Sequence, residues 1–281
     1  MNNSAMEQML ANVKHLPPLS AAVAEALASF ERQDADVDEI AGKISLDQGM
    51  VTRVLRVANS AFYGFPSKVG TIHDAVVLLG LHNIRSLVVA AGLIRQYPPR
   101  DHGRFDYGLF WQHSIGAGVC ARVLAGRRGL GKDAELAFTA GLLHDIGRLV
   151  VEVSSPEKSD AVLAYSTDHA TPLMEAECAV LGFDHTAIGF EITRLWKFPV
   201  AIQAAIRDHH MPGPDSGYLA DLVHVGNVLC HALDIGNADN EIVPPLSADA
   251  WQRLGLSWEM IKSSLPEIER QNASTKLMLS D

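Results

Sequence analysis

Apolar residues return along this chain at intervals of three and four, and turn residues cut the pattern into short blocks. Val23, Ala26, Leu27 and Phe30 make one face of a helix that Ser20 can cap. A second runs on Val37, Ile40, Ala41 and Ile44 behind Asp36. A third spans Gln48 to Ser60 behind Asp47, with Met50, Val54, Leu55, Val57 and Ala58 inward, Arg53 and Arg56 outward, and Gly64 and Pro66 closing it. Thr71 to Leu79 and Asn83 to Ile94 flank a turn at Gly80. The same period predicts helices over Phe110–Leu124, Ala134–Val151, Ala161–Tyr165, Leu173–Leu181, Thr186–Leu195, Val200–His209, Tyr218–Leu233 and Leu256–Ile268, with another opening at Ser247. The polar start predicts a helix to Lys14, stopped by Pro17-Pro18, and the tail from Gln271 reads as frayed. No alternating strand pattern of useful length occurs, so the fold class is all-α.

Breakers divide the pattern. Tyr97-Pro98-Pro99-Arg100-Asp101-His102-Gly103 separates an N-terminal helical lobe, 1–96, from a second lobe, 97–236. The polar run Asn237-Ala238-Asp239-Asn240 opens a C-terminal extension, 237–281.

At 281 residues and 48% hydrophobic, the chain can bury a large core. A net charge of -10 without a Lys/Arg cluster argues against a nucleic-acid partner. Cys120, Cys178 and Cys230 are too scattered for a zinc knuckle or a disulfide framework, which suits a reducing compartment. The first residues lack the basic start and apolar stretch of a signal peptide, and no apolar run is long enough to span a bilayer, so the expectation is a cytoplasmic protein without membrane contact.

Chemistry enters at Ala137-Phe138-Thr139-Ala140-Gly141-Leu142-Leu143-His144-Asp145-Ile146-Gly147. An apolar helix here carries an imidazole beside a carboxylate, and burying that carboxylate costs several kcal/mol unless it finds a partner. A divalent cation can serve both groups; Asp145 can also merely orient His144 or cap a neighbouring helix. His113, His185 and the pair His209-His210 stand in similar apolar, helical settings, giving a series H…HD…H…HH.

That series resembles the HD superfamily of metal-dependent phosphohydrolases, and more closely its HDOD branch. Leu16-Pro17-Pro18-Leu19, Ile44-Ser45-Leu46-Asp47, Leu55-Arg56-Val57-Ala58-Asn59-Ser60-Ala61-Phe62-Tyr63-Gly64 and the run from Ile72 to Gly80 match the N-terminal part of that branch, so the likeness covers roughly residues 15 to 235. It implies a multi-helix HD-like bundle with an N-terminal helical lobe. It also implies that His113, His144 and Asp145 hold one metal with a late Asp, and that His185, His209 and His210 are the added ligands of two-metal members. Iron, manganese or zinc suits such a set, one ion or two, or none if the site is degenerate, and two ions could hold a bridging hydroxide against a phosphate. At the late position this chain has Asn227, as HDOD proteins typically do; its amide oxygen is neutral, which weakens cation binding. Asp221 lies six residues earlier, about 240° around the helix, and is a poor substitute. Met211 after His210, and Gly217-Tyr218-Leu219 without a following proline, depart from the cyclic-dinucleotide phosphodiesterases of the superfamily.

The resemblance therefore implies a regulatory HDOD protein in bacterial-type signalling, with little or no hydrolysis, that engages a protein partner or a small nucleotide-like ligand, with the N-terminal lobe as a partner surface. The alternatives are an active phosphohydrolase on a nucleotide or phosphodiester and, third, a di-iron oxygenase. No residue is assigned a catalytic role and no organic cofactor is implied. His15, His82, His102, His169, His224 and His231 are read as surface or hydrogen-bonded core groups, although His224 precedes Asn227 by one turn. His73-Asp74 repeats the dipeptide at a helix start, where Thr71 caps, and Asn59 and Ser60 are expected to satisfy helix-end carbonyls.

Overall fold

Side-chain caps start several helices where the sequence places them. In the computed structural model, which describes residues 6, 8, 9, 11, 20–29, 37–59, 68–96, 103–237 and 242–279, Ser20 Oγ accepts from Val23 N at 3.3 Å, Asp47 Oδ1 from Met50 N at 3.1 Å and Thr71 Oγ1 from Asp74 N at 3.0 Å. The stop at Pro17-Pro18, the Asp36 cap, Ser60, the Gly64 and Pro66 closure, residues 97–102 of the inter-lobe segment with His102, residues 238–240, and His15 lie outside the described residues.

The first group of helices is α1 (Ala21–Ser29), α2 (Val37–Ser45), α3 (Gln48–Ala58), α4 (Ile72–Leu79) and α5 (Leu81–Gln96). Asn59 works as a clamp behind α3: its amide donates to Leu55 O at 2.8 Å and Val69 O at 2.9 Å, and its Oδ1 accepts from Val69 N at 2.7 Å. His73 faces Asp38 at 3.4 Å on the surface.

The second group begins with α6 (Tyr107–Arg127), buried along nearly its whole length, followed by a 3-10 turn (Gly131–Asp133) and α7 (Ala134–Leu143). Then come α8 (Ile146–Ser154), α9 (Pro156–His169), α10 (Leu173–Leu181), α11 (His185–Leu195), α12 (Val200–Asp208) and α13 (Gly217–Ala232), and finally α14 (Ala248–Leu254) and α15 (Trp258–Leu279). The described residues contain no strand, and the chain is all-α. No helix among them is long and apolar enough to cross a membrane.

Helix α6 is the axis. It packs against α7, α13 and α15, while α5 reaches α7 from the first group, where Ser86 Oγ and Thr139 Oγ1 share a hydrogen bond of 2.8 Å. The crossing of α6 and α7 depends on two glycines, since a Cβ on Gly141 would lie 2.6 Å from Gly118 Cα. One apolar core runs from Val23 and Ile40 through Leu93, Ile115 and Leu142 to Ile268.

The structure corrects three sequence readings. The predicted helix over Ala134–Val151 is two helices, α7 and α8, with His144 and Asp145 at the break. Helix α9 begins at Pro156, where a missing N–H costs nothing, and runs well past the predicted span to a left-handed Ala170 at φ 49°. From Gln271 to Leu279 the chain is helical rather than frayed: α15 continues that far, with Gln271 buried and its Oε1 accepting from Arg122 Nη2 at 2.7 Å, while Arg127 donates to Ser263 O at 3.1 Å.

Candidate metal centre

Each candidate side chain sits at a helix end or on a buried helix face. His113 comes from the second turn of α6, His144 and Asp145 from the α7–α8 break, His185 from the first residue of α11, His209 and His210 from the end of α12, and Asn227 from α13. Gly147 sets the closest approach. A Cβ there would lie 2.0 Å from the His185 carbonyl oxygen, so only glycine lets the start of α8 touch the start of α11, and that contact brings Asp145 to His185.

Asp145 is the hub. Its Oδ1 lies 3.2 Å from His185 Nε2, 3.4 Å from His144 Nε2 and 3.6 Å from His209 Nε2, and its Oδ2 accepts from Arg148 Nη1 at 2.9 Å. His113 Nε2 faces His144 Nε2 at 3.3 Å, and His210 Nε2 faces His185 Nε2 at 2.9 Å. Two triads form, His113–His144–Asp145 and His185–His209–His210; within each, the potential ligand atoms lie within 4.8 Å of one another.

Hydrogen bonds define which atoms point inward. His144 Nδ1 bonds to Gly141 O at 2.7 Å and His209 Nδ1 to Ile206 O at 2.9 Å; a carbonyl only accepts, so both rings carry the proton on Nδ1 and present an Nε2 lone pair to the centre. His209 Nε2 and Asn227 Oδ1 are buried without a hydrogen-bond partner. The Nε2 lone pairs of His144 and His209 face one carboxylate, an arrangement that a divalent cation satisfies, so these residues fit a metal.

The electrostatics agree. Burial first, then the neighbouring imidazoles, holds His113 and His209 well below the ordinary histidine value; burial lowers His144, and burial with His185 takes His210 down to about 3. Burial alone would raise Asp145, but His144 and His185 outweigh it and keep the carboxyl well below its usual range. His185 is the exception: burial works to lower it, yet the Glu177 and Asp145 carboxylates carry it up to about 10.

Four residues near the site were set aside or missed by sequence reasoning. Glu177 on α10 is buried, and its Oε2 accepts from His185 Nδ1 at 2.6 Å and from His185 N at 2.9 Å, which orients that ring. A charged residue inside Ala176-Glu177-Cys178-Ala179-Val180-Leu181 was the available signal. Arg148 holds Asp145 from the other side, at the i+3 position. A cavity of about 20 Å³, room for one water, lies beside Arg148 and Glu177. His231 stands one turn beyond Asn227 on α13, and its ring centroid is 4.5 Å from that of His113, so this face of α13 looks toward the centre. His224 uses both nitrogens elsewhere: Nδ1 donates to His209 O at 2.8 Å, and Nε2 accepts from Ser247 N at 2.9 Å.

A helical bundle that gathers imidazoles around an aspartate at helix ends defines a protein of HD type. Residues 16–212 match the HDOD domain, and the chain belongs to that family. Solved structures agree on the fold. An HDOD domain protein of unknown function from Geobacter sulfurreducens superposes with a TM-score of 0.79 at 23% identity, covering 99% of this chain and 98% of its own. A protein from Shewanella amazonensis SB2B described as a proposed phosphohydrolase gives 0.76 at 28% identity, covering 99% of both chains. One from Marinobacter aquaeolei VT8, described as a proposed signal transduction protein, gives 0.81 at 23%, covering 99% of this chain and 64% of its own. Among curated relatives, an uncharacterized protein of Treponema pallidum (strain Nichols) is 26% identical over 83% of this chain, and ribonuclease Y of Lactobacillus acidophilus is 28% identical over 57%. The matched regions span 45% and 23% of the length of those two relatives.

Proposed function

We propose that this protein acts in signal transduction through an HD-like centre that holds one or two divalent cations, iron, manganese or zinc, and works by binding, with little or no hydrolysis. His113, His144 and Asp145 would hold one cation and His185, His209 and His210 the other, with Asn227 as a neutral oxygen donor. Such ions supply Lewis acidity and an activated water when bound. The observation that carries the reading is burial: His144 and His209 are 0% exposed, His113 and His185 3%, and Asp145 5%. A phosphodiester must lie against its metals, and these walls leave half-buried His210 as the most open member of the set. The output is then a cytoplasmic contact with a protein partner or a small nucleotide-like ligand, with no nucleic acid or membrane involved. The ribonuclease Y likeness raises RNA as a substrate, but a net charge of -10 weighs against it.

A second reading, an active metal-dependent phosphohydrolase, is favoured by the retention of Asp145 beside five imidazoles and by the Shewanella relative. Metal analysis of protein purified without chelator, paired with a broad phosphodiester assay, separates the two. The preferred reading expects bound metal without turnover above a metal-only control. Robust hydrolysis by the unmodified protein overturns it in favour of the enzyme, and a metal-free protein that takes up no manganese overturns the centre itself.

A further inference from the structure

The two rings His209 and His210 end a helix, and the four-residue stretch that follows from them, His209-His210-Met211-Pro212, is gripped at both ends by the chain beyond the family match, which stops at 212. At the first end, His224 lies between the His209 carbonyl, 2.8 Å from its Nδ1, and the backbone N–H of Ser247, 2.9 Å from its Nε2. Ser247 is the N-cap of α14, its Oγ accepting from Ala250 N at 3.2 Å. At the other end, Arg253 of α14 donates to Pro212 O at 2.8 Å. The same guanidinium forms a two-point pair with the buried carboxylate of Asp221 on α13, at 2.9 and 2.6 Å. His224 and Asp221 are each only 2% exposed, while Arg253 reaches Asp221 and Pro212 from the surface, its side chain 30% exposed.

We propose that His224, Asp221 and Arg253 are positioning residues for the His185–His209–His210 half of the centre, and that cation binding in that half and docking of α14 are coupled. The inference rests on the metal-centre reading above. Its physical basis is rigidity: ligand atoms must sit within a few tenths of an ångström of their bonding positions, and the His209–Pro212 backbone has α14 as a bracket. Coupling is reciprocal, so whatever α14 docking gives to the cation, the cation returns to α14. The His113–His144–Asp145 half comes instead from α6 and the α7–α8 break, and it meets the bracketed half through Asp145, whose Oδ1 lies 3.2 Å from His185 Nε2 and 3.6 Å from His209 Nε2.

The test uses the full chain and manganese as the probe. Amide hydrogen exchange across Ala248–Leu254 is followed with and without manganese, and manganese titrations compare wild type with Arg253→Ala, Arg253→Lys and the surface control Arg194→Ala. The proposal expects manganese to slow exchange in α14. It also expects Arg253→Ala to weaken one of two classes of site roughly 10- to 100-fold, as lost outer-sphere partners do, with Arg253→Lys intermediate and Arg194→Ala unchanged. Should Arg253→Ala fail to fold, the exchange measurement on wild type and the Arg253→Lys titration still decide. If wild type binds two ions, α14 exchange is unmoved and the variants match wild type, the coupling is refuted while the centre stands. Absence of manganese binding by wild type refutes the centre, and the coupling with it. Equal weakening of both classes of site refutes the assignment to one half.

Discussion

Asp145 Oδ1 and His185 Nε2 meet at 3.2 Å across the contact between the α7–α8 break and the first residue of α11. The carboxylate thereby faces both triads at once, and its other oxygen is tied to Arg148. Asp145→Ala should abolish stoichiometric metal in both halves, read by elemental analysis after manganese loading. In the metal-free protein it leaves Arg148 and the His185 ring without their carboxylate, a change that typically costs about 3–5 kcal/mol, and urea unfolding should report it. Retention of one full equivalent of manganese would show that only one half depends on Asp145.

Asn227→Asp tests the missing charge. Residue 227 is buried on the face of α13 that carries His231 toward His113, and a carboxylate there adds an opposite-charge contact to a bound cation. Manganese affinity should rise, by about tenfold for each 1.4 kcal/mol gained, and weak phosphodiesterase activity should become measurable. Equal affinities in calorimetric titration would mean that residue 227 does not face the metal.

Gly147→Ala tests the approach of α8 to α11. The added methyl meets the His185 carbonyl at 2.0 Å, and that atom is backbone, so the helices must separate. A loss of about 1–3 kcal/mol is expected from overpacking, together with reduced metal content because Asp145 moves from His185. A variant with wild-type melting temperature and metal content would contradict this account of the close approach.

Acid should destabilise the metal-free protein. The folded-state values of His113, His144, His209, His210 and His231 all lie below the ordinary 6.5, with His210 at about 3 and His231 at about 4. The unfolded chain then binds more protons than the folded one below that value, so their contribution is complete above about pH 6.5 and is lost as pH falls through the window toward 3. His185, raised to about 10, works in the opposite sense: its contribution is complete below about 6.5 and is lost as pH rises through 10. Between pH 6.5 and 4 His185 is protonated in both states and adds no slope, so the lowered histidines predict a falling urea midpoint across that range. A midpoint that stays level or rises across that range would show that the rings are not neutral in the folded protein.

Much of this architecture was legible in the chain because helix periodicity and caps are local. Ser20, Asp47 and Thr71 cap the helices their positions predict, Gly80 turns the chain at φ 82°, and H…HD…H…HH named five imidazoles that gather around the Asp145 carboxylate. Tertiary structure alone decided the rest. The break at His144-Asp145 is marked only by the polar pair itself in a run that is apolar on nearly every face; tertiary packing seats Gly147 against the His185 carbonyl just beyond it. Gln271 is held by Arg122 from a helix distant in the chain, so α15 outlasts its local propensity. His224, His209 and His231 are the same residue in similar apolar settings, yet one braces a carbonyl and a cap, one aims a lone pair at the centre, and one packs on His113. An imidazole's role depends on which neighbour each nitrogen meets, and helix packing chooses the neighbours.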